Sequence, residues 1–320
     1  MPTLDDIRRA RSTIAGHVHE TPLFSATRLG RLAGATLALK CESLQKTGSF
    51  KARGAFNKLS SLDAAARERG VVTVSAGNHA MALAWAAGES GVRCTVVMPA
   101  TASRSKAEAS AGYGAEVVLH GTATDAFARA RELARERGLT FVHPFDDDDI
   151  IAGAGTTGLE IVEQAGERGV DAVVVGVGGG GLISGVASAV KALAPAVRVY
   201  GVEPVGAAVM RKSLDAGHAA RLETISTIAD GLAPPMAGDR NYEIVSRLVD
   251  DVVLVTDDEI LEAMRALMSL AKLVVEPSGA AATAALLAGR IPLAPGRRVV
   301  SVVSGGNIDL SRLRELLPSS

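Results

Sequence analysis

Short runs of β-branched residues recur along this chain, separated by helically spaced stretches, and that alternation limits the fold more than any other feature. The runs read TLALK, VVTVS, CTVVM, EVVL, TFVH, AVVVGV, VRVYGV, DVVLV and RRVVSVVS. Between most of them lie longer stretches with apolar residues on a helical period, such as His79 to Ala87, Ala123 to Arg137 and Asp257 to Leu270. Strands apolar on both faces belong in parallel sheets covered by helices, because each crossover lays a helix on a sheet face. The expected class is α/β. A length of 320 residues exceeds one typical domain, so two open parallel-sheet domains with helices on both faces are expected. No Pro/Ser-rich linker marks a boundary. The short strands and small helices from about 62 to 141 suggest a smaller domain inserted in a larger one built from 1–61 and 142–320.

Composition narrows the partners. Lysine and arginine number 34 against 35 acids, a net charge of -1 with no basic block, so the field that gathers nucleic acid or anionic lipid is missing. No stretch approaches the roughly 18 apolar residues of a membrane span, and a small-molecule ligand is expected. Two cysteines, Cys41 and Cys94, cannot build a disulfide framework or a four-thiolate zinc site, and MPTLDDIRRARS lacks an apolar signal core. Cytoplasmic residence follows as an expectation. The acidic run Asp146 to Asp149 precedes a helical pattern and reads as acids at a helix start.

Glycine clusters at strand-to-helix junctions. A glycine-rich turn after a strand lets backbone N–H groups point at an anion on the next helix's N-terminus. In AVVVGVGGGGLIS, Gly178, Gly179, Gly180 and Gly181 follow a strand and open a helix, which suits a phosphate. The same loop satisfies GxGxxG at Gly176, Gly178 and Gly181, and Glu203 ends the next strand, so a nicotinamide dinucleotide reading stays open. Against it, the first glycine lies 27 positions from Glu203 rather than about 20. In VVTVSAGNHAMALAWAA, Ser75, Asn78 and His79 stand at a helix start, a carboxylate-sized anion site or a simple N-cap. A third strand, VVSVVSGGNIDL, ends at Ser304 and turns through Gly305, Gly306 and Asn307. No GxSxG elbow and no HExxH spacing occur.

Lys51 follows the turn Thr47-Gly48-Ser49 and Phe50 and begins a helical pattern. The segments KTGSFKARGAF around Lys51, SAGNHA (75–80), HPFDDDDIIAGAGTTGLEI (143–161), VGGGGLISG (177–185), TIADGLA (227–233), VEPSGA (275–280) and SGGNIDL (304–310) cover nearly the whole chain. In that order they resemble the fold-type II pyridoxal-phosphate enzymes, specifically the threonine/serine dehydratase branch related to serine racemase. The resemblance implies a tryptophan synthase β-like fold and pyridoxal 5'-phosphate as cofactor. It implies that Lys51 links covalently to the cofactor, that Phe50 packs beneath its ring, and that Gly178 to Gly181 with Leu182 cradle its phosphate. Asn78 would meet the cofactor's 3-oxygen and Ser304 its pyridine nitrogen. Ser75, Asn78 and His79 would hold the substrate carboxylate.

The implied reaction is β-elimination from L-threonine, secondarily L-serine, to 2-oxobutyrate or pyruvate plus ammonia. A neutral Ser304 hydroxyl does not stabilise a pyridinium, so long-lived carbanions are disfavoured. Alternatives are a lyase for 3-hydroxyaspartate or another β-hydroxy amino acid, and a serine racemase. Racemases place a serine directly before the Gly-Asn of the anion loop, whereas Ala76 stands here, so elimination should outrun racemisation. The related metal site uses acids after the strand preceding Glu203. Val209 stands where a second acid is expected, so no metal is expected. The resemblance also implies a homodimer or homotetramer. The chain ends soon after Asp309, so feedback through a C-terminal regulatory domain is not expected.

Overall fold

The computed structural model describes residues 1–317. The strands are β1 (Leu23–Ser25), β2 (Thr36–Cys41), β3 (Val71–Val74), β4 (Cys94–Met98), β5 (Glu116–Leu119), β6 (Thr140–Phe141), β7 (Ala172–Gly176), β8 (Arg198–Pro204), β9 (Asp251–Val255) and β10 (Arg298–Val303). They form a six-stranded sheet of order β1-β2-β10-β7-β8-β9 and a four-stranded sheet of order β5-β4-β3-β6. Every pairing is parallel except β1 with β2. The chain is therefore α/β with two open, essentially parallel sheets. Each apolar run of the sequence forms a strand. β1, three residues long and antiparallel at an edge, is too short to carry a pattern.

Alternate residues of one strand face different cores, which is why these strands read as continuous apolar runs. In β7, Ala172 and Val174 join a core with the helix Pro277–Leu287, while Val173 and Val175 join another with Ile183 and Val186 of the helix Gly181–Leu193. In the second sheet, Val71 and Val96 pack with the helix Asn78–Ser90, and Val72 and Val97 with Ala126 and Leu133 of the helix Ala123–Arg137. The core under Asn78–Ser90 also recruits Ala52, Ala55, Phe56 and Leu59 from the helix Lys51–Ser60.

The helix Asp148–Ala165 positions the rest. Its start is the acidic run: Asp147 Oδ1 accepts from the N–H groups of Asp149 at 2.9 Å and Ile150 at 3.2 Å. It touches the Lys51–Ser60 helix through Gly54 and Gly153, and the Gly181–Leu193 helix through Gly155 and Gly185. A Cβ on Gly153 would lie 2.6 Å from the Gly54 Cα, and one on Gly185 2.5 Å from the Gly155 N, so only glycine permits either approach. Both helices that open at the suspected site are thus fixed against one strut. The helix expected to end at Leu270 instead stops at Ala266 and passes into a π-turn, Leu267–Ala271, closed by Lys272 at φ 62.

Candidate active site

In parallel α/β sheets the strand ends converge on a crevice where helix N-termini also point. Here β2 and β10 end in register, Val303 opposite Cys41. Beyond them the chain closes on itself: Ser49 bridges Gly305, and Phe50 N–H donates to the Ser304 carbonyl at 3.1 Å. Phe50 is the N-cap of the Lys51–Ser60 helix, so Lys51 and Ser304 belong to one rigid corner. The Ser304 hydroxyl is buried and directed at the Ser278 carbonyl, 3.4 Å away.

Lys51 Nζ donates to the Pro144 carbonyl at 2.7 Å and lies 5.1 Å from the centroid of the Phe50 ring. Burial, with no acid beside it, pulls its amine down to about 8. The loop it leans on is braced by His143, whose Nδ1 accepts from Asp146 N–H at 2.9 Å. Burial, aided by the charges of Arg131 and Lys51, holds this imidazole down at about 4, so it is neutral and free to accept near pH 7.

The same loop meets the glycines. A Cβ on Gly179 would collide with the Phe145 ring, and one on Gly181 would stand 3.0 Å from the Phe145 carbonyl oxygen. Gly180 takes φ +97, a left-handed conformation suited to glycine. Asn241 Nδ2 ties the turn down by donating to the carbonyls of Gly179 at 2.9 Å and Phe145 at 3.0 Å. No side chain caps the Gly181–Leu193 helix. Its first-turn N–H groups, with Leu182 buried among them, remain available to an anion.

The third junction contributes Ser75 to His79. Asn78 opens the Asn78–Ser90 helix, again without a side-chain cap, and Ser75 Oγ accepts from Gly77 N–H at 3.2 Å. The His79 ring is buried, and burial, together with the Lys51 charge, holds it well below its usual range. The structure therefore brings Lys51, Phe50 and Ser304 together, sets Gly178 to Gly181 beside the loop that holds Lys51, and places Asn78 against the turn after Ser304. Glu203 stands apart. Its carboxylate oxygens accept backbone N–H groups, from Met210 at 2.7 Å and Arg211 at 2.8 Å, and the residue is fully buried, out of reach of a ribose.

Residues 14–305 match the model of the pyridoxal-phosphate dependent enzyme family. The chain belongs to that family. It is 44% identical over 98% of its length, and 95% of the relative's, to a catabolic L-threonine dehydratase of Escherichia coli strain K12. Among solved structures, a threonine deaminase from T.th. matches at TM-score 0.91 and 44% identity, covering 97% of this chain and 99% of that one. Maize serine racemase matches at TM-score 0.93 and 39% identity, covering 98% and 96%.

Pyridoxal phosphate is thus this enzyme's cofactor, and the residues present suit it. It needs an amine for its aldehyde, an anion cradle for its phosphate and partners for its ring heteroatoms. A buried amine, an uncapped helix start behind a glycine turn, an amide and a hydroxyl all face this crevice. Beside it, the Asn241 Oδ1 and Ser49 Oγ atoms are buried without a partner among the described residues. Reading of the sequence did not single out His143, Asn241, Glu276 or Lys106. Glu276 lies inside the motif VEPSGA, but an acid before a proline at a helix start reads as a charge favoured by the helix dipole.

Proposed function

We propose that this enzyme removes the β-hydroxyl and the α-amino group of L-threonine, and secondarily of L-serine, giving 2-oxobutyrate or pyruvate and ammonia. The observation that carries this reading is a buried amine at Lys51, held beside an uncapped glycine-rich helix start, in a chain 44% identical to a catabolic L-threonine dehydratase over 98% of its length. When bound, pyridoxal phosphate supplies an aldehyde that captures amines and a ring that withdraws electrons from the substrate Cα. Lys51 would hold it covalently, with Phe50 beneath the ring, Gly178, Gly179, Gly180, Gly181 and Leu182 around the phosphate, Asn78 at the ring oxygen and Ser304 at the ring nitrogen.

The chain's own groups then divide the work. Ser75 and the first-turn N–H groups of Asn78 and His79 bind the substrate carboxylate and orient the Cα–H bond. Lys51 Nζ, whose amine burial pulls down to about 8, would take the Cα proton in its neutral form. Ser304 offers a hydroxyl rather than a carboxylate, so charge at Cα would be poorly stabilised and would be relieved by loss of the β-hydroxyl, which would leave as water with the proton that Lys51 took from Cα. The enamine product then hydrolyses to the 2-oxo acid.

A second reading, 3-hydroxyaspartate as substrate, is favoured by one observation. Lys106 Nζ lies 4.0 Å from where a Cβ on Gly77 would stand, near the carboxylate site, and makes no salt bridge among the described residues. Racemisation is disfavoured because Ala76 brings no hydroxyl to the loop. We further infer a cytoplasmic homodimer or homotetramer, acting on a small amino acid and binding neither nucleic acid nor membrane. The oligomer rests on the family resemblance alone; the balanced charge argues against nucleic acid, and no helix among the described residues is long and apolar enough to cross a membrane.

The test is an absorbance spectrum of the purified protein, followed by 2-oxo acid assays with L-threonine, L-serine and L-3-hydroxyaspartate. A visible cofactor band with 2-oxobutyrate formed fastest is expected, and Lys51→Ala should abolish both. Faster oxaloacetate formation would move the assignment to the second reading, and D-serine appearing as fast as pyruvate would defeat the elimination argument.

A further inference from the structure

Glu276 has no part in the chemistry above, yet it sits in the crevice. It occupies the N-cap position of the Pro277–Leu287 helix, but its side chain caps no N–H there. Instead Glu276 Oε1 accepts from Asn78 Nδ2 at 2.5 Å, 198 residues away in sequence. Asn78 Oδ1 in turn accepts from Asn307 Nδ2 at 2.9 Å, and Asn307 Nδ2 gives its other hydrogen to the Thr47 carbonyl at 2.7 Å. A carboxylate and a backbone carbonyl can only accept, so the two ends of this chain dictate which way both amides face. Exchanging the oxygen and nitrogen of Asn78 would set acceptor against acceptor at Glu276 and donor against donor at Asn307. In the arrangement found, one Asn78 N–H is consumed by Glu276 and the other is uncommitted. Gly305 makes room for the carboxyl: a Cβ there would collide with Glu276 Oε1.

We infer that Glu276 is a positioning residue which, through Asn78, fixes the amide N–H left to meet the cofactor's ring oxygen. The inference rests on the assignment of Asn78 to the cofactor. The groups that act on Glu276 are Asn78, Lys106 from the helix Arg104–Gly112, and Asp230. Burial pushes its carboxyl up to about 7, opposed by Lys106 and Asn78 and assisted by Asp230. Above that pH the carboxylate is an obligate acceptor and the amide orientation is forced. Below it, the protonated carboxyl can also donate to Asn78 Oδ1, so only the Asn307 end still opposes the exchanged orientation.

The readout is the dissociation constant of pyridoxal phosphate, measured by absorbance on protein resolved from and reloaded with cofactor. Asn78→Ala and Glu276→Ala should each weaken binding roughly tenfold, the scale of one hydrogen bond to a charged group, and the double variant no more than either alone. Glu276→Gln should lie between parent and Glu276→Ala and should lose the parent's extra weakening below pH 7. Parent-like binding by Glu276→Ala overturns the inference. So does a double variant weakened by the product of the two, which would leave the Asn78 assignment standing. If Asn78→Ala binds as the parent does, that assignment falls and the inference with it. Should the alanine variants fail to fold, the glutamine variant decides, and a pH profile identical to the parent's overturns the proposal.

Discussion

A lysine amine is a nucleophile near neutral pH only when something disfavours its charged form, and at Lys51 that is burial without a paired acid. With its amine at about 8, roughly one molecule in ten is neutral at pH 7, against on the order of one in a thousand for an exposed lysine. Capture of pyridoxal phosphate by cofactor-free protein should therefore speed up about tenfold from pH 6 to pH 7 and level off above pH 8, as followed by stopped-flow absorbance. A rate still climbing between pH 9 and 10 would mean that Lys51 titrates as an ordinary surface lysine. Lys51 itself was visible in the sequence because the motif around it is long and local. The roles of Glu276 and Asn307 were not, although both stand inside quoted motifs, because those roles exist only where the Pro277–Leu287 helix, the Asn78–Ser90 helix and the turn after β10 meet. No spacing along the chain records that meeting.

At the scale of elements, the site depends on how the Lys51–Ser60 helix is fixed, and one anchor is ionic. Arg53 is fully buried and donates to Glu42 at 2.8 Å and to Glu160 at 2.6 and 2.8 Å, while Lys40 donates to Glu160 at 2.5 Å. These four side chains are between 0% and 6% exposed and their charges cancel. Although burial alone would raise it, the Arg53 guanidinium holds the Glu42 carboxyl below its usual range. Arg53→Met should then cost about 3–5 kcal/mol in urea unfolding at pH 7, because Glu42 loses its ion-pair partner in a dry interior and Glu160 keeps only Lys40. The sign with pH is determined: without the guanidinium, burial shifts the Glu42 carboxyl upward and it takes up a proton, so the penalty should shrink towards pH 5. The second anchor is steric. Gly185→Ala would drive a methyl into the Asp148–Ala165 helix, displacing the glycine turn relative to Lys51. Overpacking of this kind costs about 1–3 kcal/mol, and it should appear both as a lower melting temperature and as weaker cofactor retention. Strand positions were readable from β-branched runs, and the long helices from their period. The π-turn after Ala266 was not, since Leu267 to Leu270 continue the apolar pattern with no change in composition.

For the whole molecule, the question is whether the two sheets are independent folding units. We propose that the chain forms a larger body from 1–61 and 142–320 with 62–141 inserted, because β3, β4, β5 and β6 all lie within or at the end of the inserted stretch. Covalent insertion does not make a unit thermodynamically separate. The core beneath the Asn78–Ser90 helix is completed by Ile14, Ala52, Ala55, Phe56 and Leu59 from one flank and by Val142 and Ile150 from the other. Trp85 and Phe56, from the two sides of the proposed boundary, pack with 5.8 Å between ring centroids. A fragment of 62–141 would expose one face of its principal core to water, and a chain of about 80 residues has little stability in reserve. Expressed alone, this fragment should show no cooperative thermal transition by circular dichroism, whereas the full chain should unfold with the tryptophan signal and the bulk helix signal moving together. A separate, earlier transition reported only by Trp85 would instead make the inserted sheet an autonomous domain, and the Lys51–Ser60 helix would then be a contact between bodies rather than part of one core.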